Sequence, residues 1–340
     1  MGDPPFDPTG LCGAGTLADL PGADGQISLR EAVIAANNTP GAKIIQFAPS
    51  LSGITIILAA SLALCGGHTT LTGDVNGDDA PDITLDGTAV RFPFDVIDVF
   101  SSHNIVKSLK VLAPSEARVG GIAINPTPAV ATTMVGNTLT HNIVTGGAIF
   151  VGVGFDFSNP VQAFNGAVVK HISVHDNTVV SSAGAGIEAF ILGDRHEITD
   201  VTIAGNTVSE NTIGILAFGG ERNPFDPTDD GASDNRLDVT IKDNLVTGNS
   251  NPGGTAGIVL LGGLSSSYRN QVTATLLDNT VTDNTGAGIA VGAGQENSSQ
   301  NRVAVKIRGN KLENNAGVGI FAFGAIGALF SPNGQSRKRQ

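Results

Sequence analysis

Between residues 134 and 320 one short pattern recurs six times, and that repetition constrains the fold more than any other feature of the chain. MVGNTLTHN (134–142), VHDNTVVSS (174–182), IAGNTVSEN (203–211), IKDNLVTGN (241–249), LLDNTVTDN (276–284) and IRGNKLENN (307–315) superimpose without a gap. The fourth place is always asparagine: Asn137, Asn177, Asn206, Asn244, Asn279 and Asn310. Five residues on stands Asn142, Asn211, Asn249, Asn284 or Asn315, with Ser182 as the exception, and a Gly-Ile step follows in all but the first unit. The asparagine intervals are 40, 29, 38, 35 and 31 residues, so the unit is constant while one connection varies, as in a coil with one insertion-tolerant corner. Within a unit the apolar residues alternate, Val201 and Ile203 against Thr202 and Ala204, which argues for strands. Three short strands per unit follow. Stacking such coils at about 4.8 Å places like residues above one another. An inward asparagine can then pass its amide hydrogen bond to the next coil, a structural role for all six.

Composition removes the competing classes. With 41% hydrophobic and 15% charged residues the chain is not disordered, and its 45 glycines lack the period of collagen. The apolar run from Gly53 to Leu64 is interrupted by Thr55 and Ser61 and falls short of the ~20 residues that span a bilayer. No charged-then-apolar leader opens the sequence, so if the protein is exported this is its mature part. A net charge of −12 disfavours nucleic acid as a partner. Cys12 and Cys65 match no zinc pattern and are either one disulfide or two buried thiols.

The Asn-turn and Gly-Ile pattern resembles the right-handed parallel β-helix proteins of the pectate-lyase-like superfamily, over about residues 54–325. The opening, Gly25-Gln26-Ile27-Ser28-Leu29-Arg30-Glu31-Ala32-Val33 and then Lys43-Ile44-Ile45-Gln46-Phe47, resembles the Ser-Leu-Arg-Glu-Ala N-terminal region of secreted bacterial β-helix proteins. Ser28 with Glu31 forms a capping box, and Leu29, Ala32, Val33 and Ala36 make one apolar helix stripe. The expected architecture is an all-β, right-handed parallel β-helix of about ten coils with three strands each. Residues 1–50 form a cap with a helix over 28–37 that shields the open end of the first coil. Residues 51–328 form the solenoid, and 329–340 a polar, basic tail.

The resemblance implies a range of carbohydrate chemistries, from uronide lyases and polygalacturonases to epimerases and fructotransferases, beside non-enzymatic adhesins and phage spikes. Fold does not choose among them. Arg-Ile-Lys, Gly-His-Gly and Asn-Thr-Asp signatures are absent, so no family catalytic residue transfers to a position here. The expected location is extracellular or on a bacterial surface, the expected partner a polysaccharide or oligosaccharide, and no cofactor is required.

Taking the isoleucines of the Gly-Ile steps as inward, alternation sends Glu188, Phe190, Leu216, Phe218, Val259, Leu261, Ala290, Phe321 and Phe323 outward. One outside face is therefore largely apolar and calls for a cover: the chain's own loops, a second copy, or a ligand. Glu188 alone puts a carboxylate into that stripe, between Phe150 and Leu216, where desolvation raises its pKa toward general-acid use. Asp156 or Asp194 would complete the carboxyl pair that cleaves glycosides. Phe190, Phe218, Arg195, His196, Glu221 and Arg222 are the candidate binding residues, the last four in corner loops. His171 and His175 lie on the first strand around the corner. Asp74, Asn76, Asp78 and Asp82 space oxygen ligands as calcium loops do, although a Gly/Asp-rich turn gives the same pattern. Two functions stand: a carbohydrate-active enzyme (lyase or hydrolase) working in a groove between the third-strand face and the corner loops, or a surface or structural solenoid whose apolar stripe docks a partner or another copy.

Overall fold

The computed structural model describes residues 11–22, 24–91, 93–114, 119–154, 164–222, 231–250, 255–294 and 298–324. The chain winds into a parallel β-solenoid with three sheets. The first runs from Lys43–Ile45 to Arg302–Arg308, the second from Thr55–Ile57 to Lys311–Glu313, and the third from Leu62–Leu64 to Ile320–Phe323. Each sheet is nine strands deep along its path, against the ten or so coils expected from the repeat. Strand pairing is parallel throughout and always joins one coil to the next. The first sheet begins inside the segment read as cap, since Lys43–Ile45 pairs with Thr69–Leu71.

Alternation decides what is inside. In the second sheet the middle residue of each three-residue strand, Val179, Val208, Val246 and Val281, is fully buried while its neighbours are not. The third sheet sends Ile187, Ile215, Ile258 and Ile289 into the same core, each fully buried. The corner between the first and second sheets requires a left-handed residue, supplied by Asp176, Gly205, Asp243, Asp278 and Gly309 at φ of 52–70°. At Gly205 a Cβ would meet Asp176 Oδ1 at 2.5 Å, so glycine answers both the dihedral and the close approach.

Asparagine ladders hold the corners. The backbone N–H of Asn142, Asn177, Asn206, Asn244 and Asn279 each donates to the Oδ1 of the next coil's asparagine at 2.9–3.1 Å, ending on Asn310. The side-chain amides continue the chain at 2.7–3.0 Å. A second ladder runs Ser182, Asn211, Asn249, Asn284, Asn315. A third, at the corner leading back to the first sheet, joins His196 to Asn235, Asn270 and Asn301. The register of the first repeat needs correcting. Asn142, not Asn137, stands level with Asn177, and Asn137 instead accepts from the Asn104 N–H at 2.7 Å. The reason is register: Thr133–Val135 and Thr138–Thr140 both run level with Val168–His175, without a shift between them, so Asn137 falls inside the first-sheet stretch and Asn142 at the corner.

The N-terminal helix α1 spans Leu29–Asn37 with Ser28 as N-cap and the capping box formed in both directions, at 3.2 and 2.8 Å. Val33 and Ala36 join the solenoid core, with Leu29 and Ala32 packed beside them. Asn37 donates to the Ala63 carbonyl at 2.8 Å and accepts from the Cys65 N–H at 2.9 Å. Cys12 and Cys65 are disulfide-bonded across a Cα separation of 5.9 Å, which ties the segment before α1 to the third sheet. The tail at 329–340 lies outside the described residues.

Candidate functional site

One outward column of the third sheet holds the candidate carboxylate Glu188. It reads Ala63, Asp98, Ala123, Phe150, Glu188, Leu216, Val259, Ala290, Phe321 from coil to coil. Glu188 thus stands between Phe150 and Leu216. In the next outward column Phe190 sits edge-on to Phe150 at 5.8 Å between ring centroids and stacks on Phe218 at 6.0 Å.

This face is closed over some coils and open over others. Phe218, Val259, Leu261 and Ala290 are buried, and Leu264 from the following corner packs with them, its N–H donating to the Gly220 carbonyl at 2.8 Å. Phe150, Glu188, Phe190 and Leu216 remain partly exposed, as do Glu221 and Arg222 beside them. Phe321 is exposed at the far end. The partial opening therefore coincides with the carboxylates.

Glu188 keeps a part-exposed edge, yet its carboxyl is crowded by aromatic and aliphatic neighbours. Burial, and after it the negative charge of Glu221, push it up to about 8. Glu221 closes the strand Ile213–Glu221, whose register places it beside Leu192 at the end of Glu188's own strand, Ala185–Leu192. The acidic neighbour of Glu188 among the described residues is thus a strand residue and not a loop aspartate. Asp194 turns to the next corner, where its Oδ1 accepts from the Ser233 N–H at 2.8 Å and the Ser233 hydroxyl at 2.7 Å. Asp156 lies outside the described residues.

The remaining candidates divide. Arg195 is exposed at the corner, its N–H bound to the Ser233 carbonyl at 2.9 Å, next to the Asp234–Arg269 ion pair. His196 is 1% exposed, its Nδ1 accepting from the Ala167 N–H at 2.9 Å, and desolvation holds it neutral down to about 4. It closes the top of the third asparagine ladder. His171 and His175 are on the first sheet, paired with Asp200 and Asp176.

Sequence reading missed one carboxylate in the Glu188 column. Asp98 is fully buried three registers from Glu188, with Asp95 against it. Its signal was the placement of an acid on an outward strand position between two alanines, visible only once the register of the irregular early coils is known.

On the opposite side of the early coils, ligand oxygens of Asp74, Asp78 and Asp82 lie within 4.8 Å of one another. Asn76 stays close, its Nδ2 donating to Asp78 Oδ2 at 3.2 Å. The donor set is all oxygen and suits a hard cation. Several of those oxygens already accept from backbone N–H groups of the loop, including Gly77 to Asp74 at 2.6 Å and Val75 to Asp82 at 2.9 Å. Lys107 meets the rim at Asp79, at 3.0 Å.

No family model matches the sequence, and no curated protein matches it. Solved structures similar in fold include ORF18 of Geobacillus virus E2 (10% identity, TM-score 0.34, 86% of this chain and 54% of that one). The A-module of the Azotobacter vinelandii mannuronan C-5 epimerase AlgE4 aligns over 89% of this chain and 94% of its own, at 11% identity and a TM-score of 0.31. The Dettilon tailspike protein aligns at 12% identity and a TM-score of 0.23, over 82% and 61%. The chain spans about half the length of the virus protein. At such scores these alignments say nothing of function, and the architecture stands on the chain's own three sheets.

Proposed function

We propose that the protein acts on a carbohydrate polymer or oligosaccharide at the outer face of the third sheet, with Glu188 as general acid and Glu221 as its ionised partner. What carries this reading is Glu188, its carboxyl raised to about 8 by burial and the charge of Glu221, on a part-exposed stretch of the apolar face. A protonated Glu188 can give its proton to a departing glycosidic oxygen, and an ionised Glu221 can stabilise the developing positive charge or draw a proton from water. Phe150 and Phe190 offer apolar surface to a sugar ring in a chain without tryptophan. The Cys12–Cys65 disulfide favours an oxidising location outside the cytoplasm. Among the described residues no helix is long and apolar enough to cross a membrane. Calcium at Asp74, Asn76, Asp78 and Asp82 would brace an early corner, remote from the chemistry.

The second reading, a structural or adhesive solenoid, is favoured by the burial of Phe218, Val259, Leu261 and Ala290, which leaves no open groove over those coils. Reducing-end release from a panel of acidic and neutral polysaccharides separates the two. The enzyme reading expects turnover by the wild type and a loss of about 10²-fold or more in Glu188→Gln at unchanged circular dichroism. A panel left uncleaved, or equal rates in both proteins, transfers the assignment to the structural solenoid.

A further inference from the structure

Asp95 and Asp98 are 5% and 0% exposed and touch each other beside the N-terminal cap. The Asp95 N–H points at Asp98 Oδ1 at 3.4 Å, and the two side chains interact directly. Each carboxyl also holds one outside group. Asp98 Oδ2 accepts from the Ser61 hydroxyl at 2.5 Å, and Asp95 Oδ1 accepts from the Gly120 N–H. Gly120 is required there, because a Cβ would meet Phe150 at 2.7 Å and Asp95 Oδ1 at 2.8 Å.

The contacts continue into the cap. The carbonyl oxygens of Ser61 and Ala60 accept from the Arg30 guanidinium of α1, at 2.9 and 2.7 Å. An unbroken path therefore runs from α1 through Arg30, Ser61, Asp98 and Asp95 to Gly120 and the third coil. The surroundings offer the pair no counter-charge among the described residues. Ala63 and Ala123 flank Asp98 in the neighbouring strands, and Gly120 and Phe150 lie against Asp95. Arg30 reaches only carbonyl oxygens, and Glu188, also acidic, stands three registers away. Two carboxylates in contact in such a place cannot both be ionised without strong repulsion.

We infer that Asp95 and Asp98 are a proton-sharing latch between the N-terminal cap and the third sheet, closed while the pair keeps a proton and released when the last one leaves. The inference is independent of any activity at Glu188. Burial pushes Asp95 up to about 7, and burial together with the charge of Asp95 raises Asp98 as well, so the pair holds a proton that an ordinary aspartate pair would have lost and gives it up as pH rises. The charge left behind drives the carboxylates apart and frees Ser61, the anchor of the strand on which α1 rests. The disulfide retains the segment, which makes the opening local.

Hydrogen exchange followed by mass spectrometry on the intact chain tests this, with rates corrected for the intrinsic effect of pH. Peptides covering α1 and residues 60–65 are expected to lose protection by roughly ten-fold or more between pH 6.5 and 9.5, while the strands around Val208 and Val246 do not. In Asp98→Asn, whose amide can donate to Asp95 without a second charge, that loss is expected to vanish. Unchanged cap protection in the wild type, or the same loss in Asp98→Asn, overturns the latch. If that variant does not fold, the infrared carbonyl band of a buried protonated carboxyl decides in Glu188→Gln, where Glu188 cannot contribute to it. Its presence at pH 8 and disappearance with cap opening support the latch, and its absence at pH 8 overturns it.

Discussion

Glu221 ends the strand that pairs with the strand of Glu188, and its charge adds to burial in keeping the Glu188 carboxyl protonated up to about 8. Burial and the charge of Glu221 together favour the protonated form of Glu188, the condition under which a carboxyl can serve as acid beside a charged neighbour.

Any cleavage activity should therefore fall on the alkaline side as Glu188 deprotonates near pH 8. Glu221→Gln removes the smaller of the two causes, so this limb should move to lower pH without reaching the range of an ordinary glutamate. A pH-rate profile of the variant checks both parts, and an unmoved alkaline limb would show that Glu221 does not act on Glu188.

Stability should depend on pH from both sides. Glu188 is raised from 4.5 to about 8, so the fold favours its neutral form. The stability it contributes is fully present below about 4.5 and is lost as pH rises toward 8. His196 is lowered from 6.5 to about 4, so its contribution is present above about 6.5 and is lost as pH falls toward 4. Melting temperatures of Glu188→Gln and wild type, compared at pH 5 and pH 8, should favour the variant more at pH 8. A gap independent of pH would refute this part.

Asn206 sits mid-ladder. Its Oδ1 accepts from both the N–H and the side-chain amide of Asn177, and its Nδ2 donates to the Val174 carbonyl and Asn244 Oδ1. Asn206→Ala strands several buried groups and should cost about 2–4 kcal/mol in denaturant unfolding, whereas the exposed Glu210→Ala should cost less than about 0.5 kcal/mol. Equal small losses would deny the ladder its structural role.

Calcium should raise the melting temperature through Asp74, Asp78 and Asp82, and Asp78→Asn should reduce that rise. The control is magnesium, which demands tighter octahedral geometry and should do less. No shift with calcium at millimolar concentration would leave the loop as a plain turn held by its own N–H groups.

The solenoid is legible because its signals are local: alternation places Val208 and Ile215 inside, and a recurring asparagine marks the corners. The apolar outer face and the seat of Glu188 between Phe150 and Leu216 follow from the same alternation. Long-range choices were not legible. Asn137 occupies the right place in a local match, yet the pairing of Thr138–Thr140 with Ser173–His175 leaves it ahead of the corner, where Asn142 stands instead. Asn235, Asn270 and Asn301 lie outside the recurring nine-residue pattern, beside corners of variable length, and form a third ladder. Ser108, at φ 53°, splits what reads as one run from Ile105 to Leu112 into strands of two different sheets. Glu221 read as loop because two glycines precede it, although the strand continues through them. Asp98 was hidden because its partners are Asp95 and a serine 37 residues away.

The central claim is that Glu188 is protonated beside an ionised Glu221 at neutral pH. Carbon-13 NMR of the glutamate side-chain carboxyls, assigned by comparison with Glu188→Gln, measures this directly. The account predicts a midpoint near 8 for Glu188, falling toward but not to 4.5 in Glu221→Gln. A wild-type midpoint at 4–5 would contradict it.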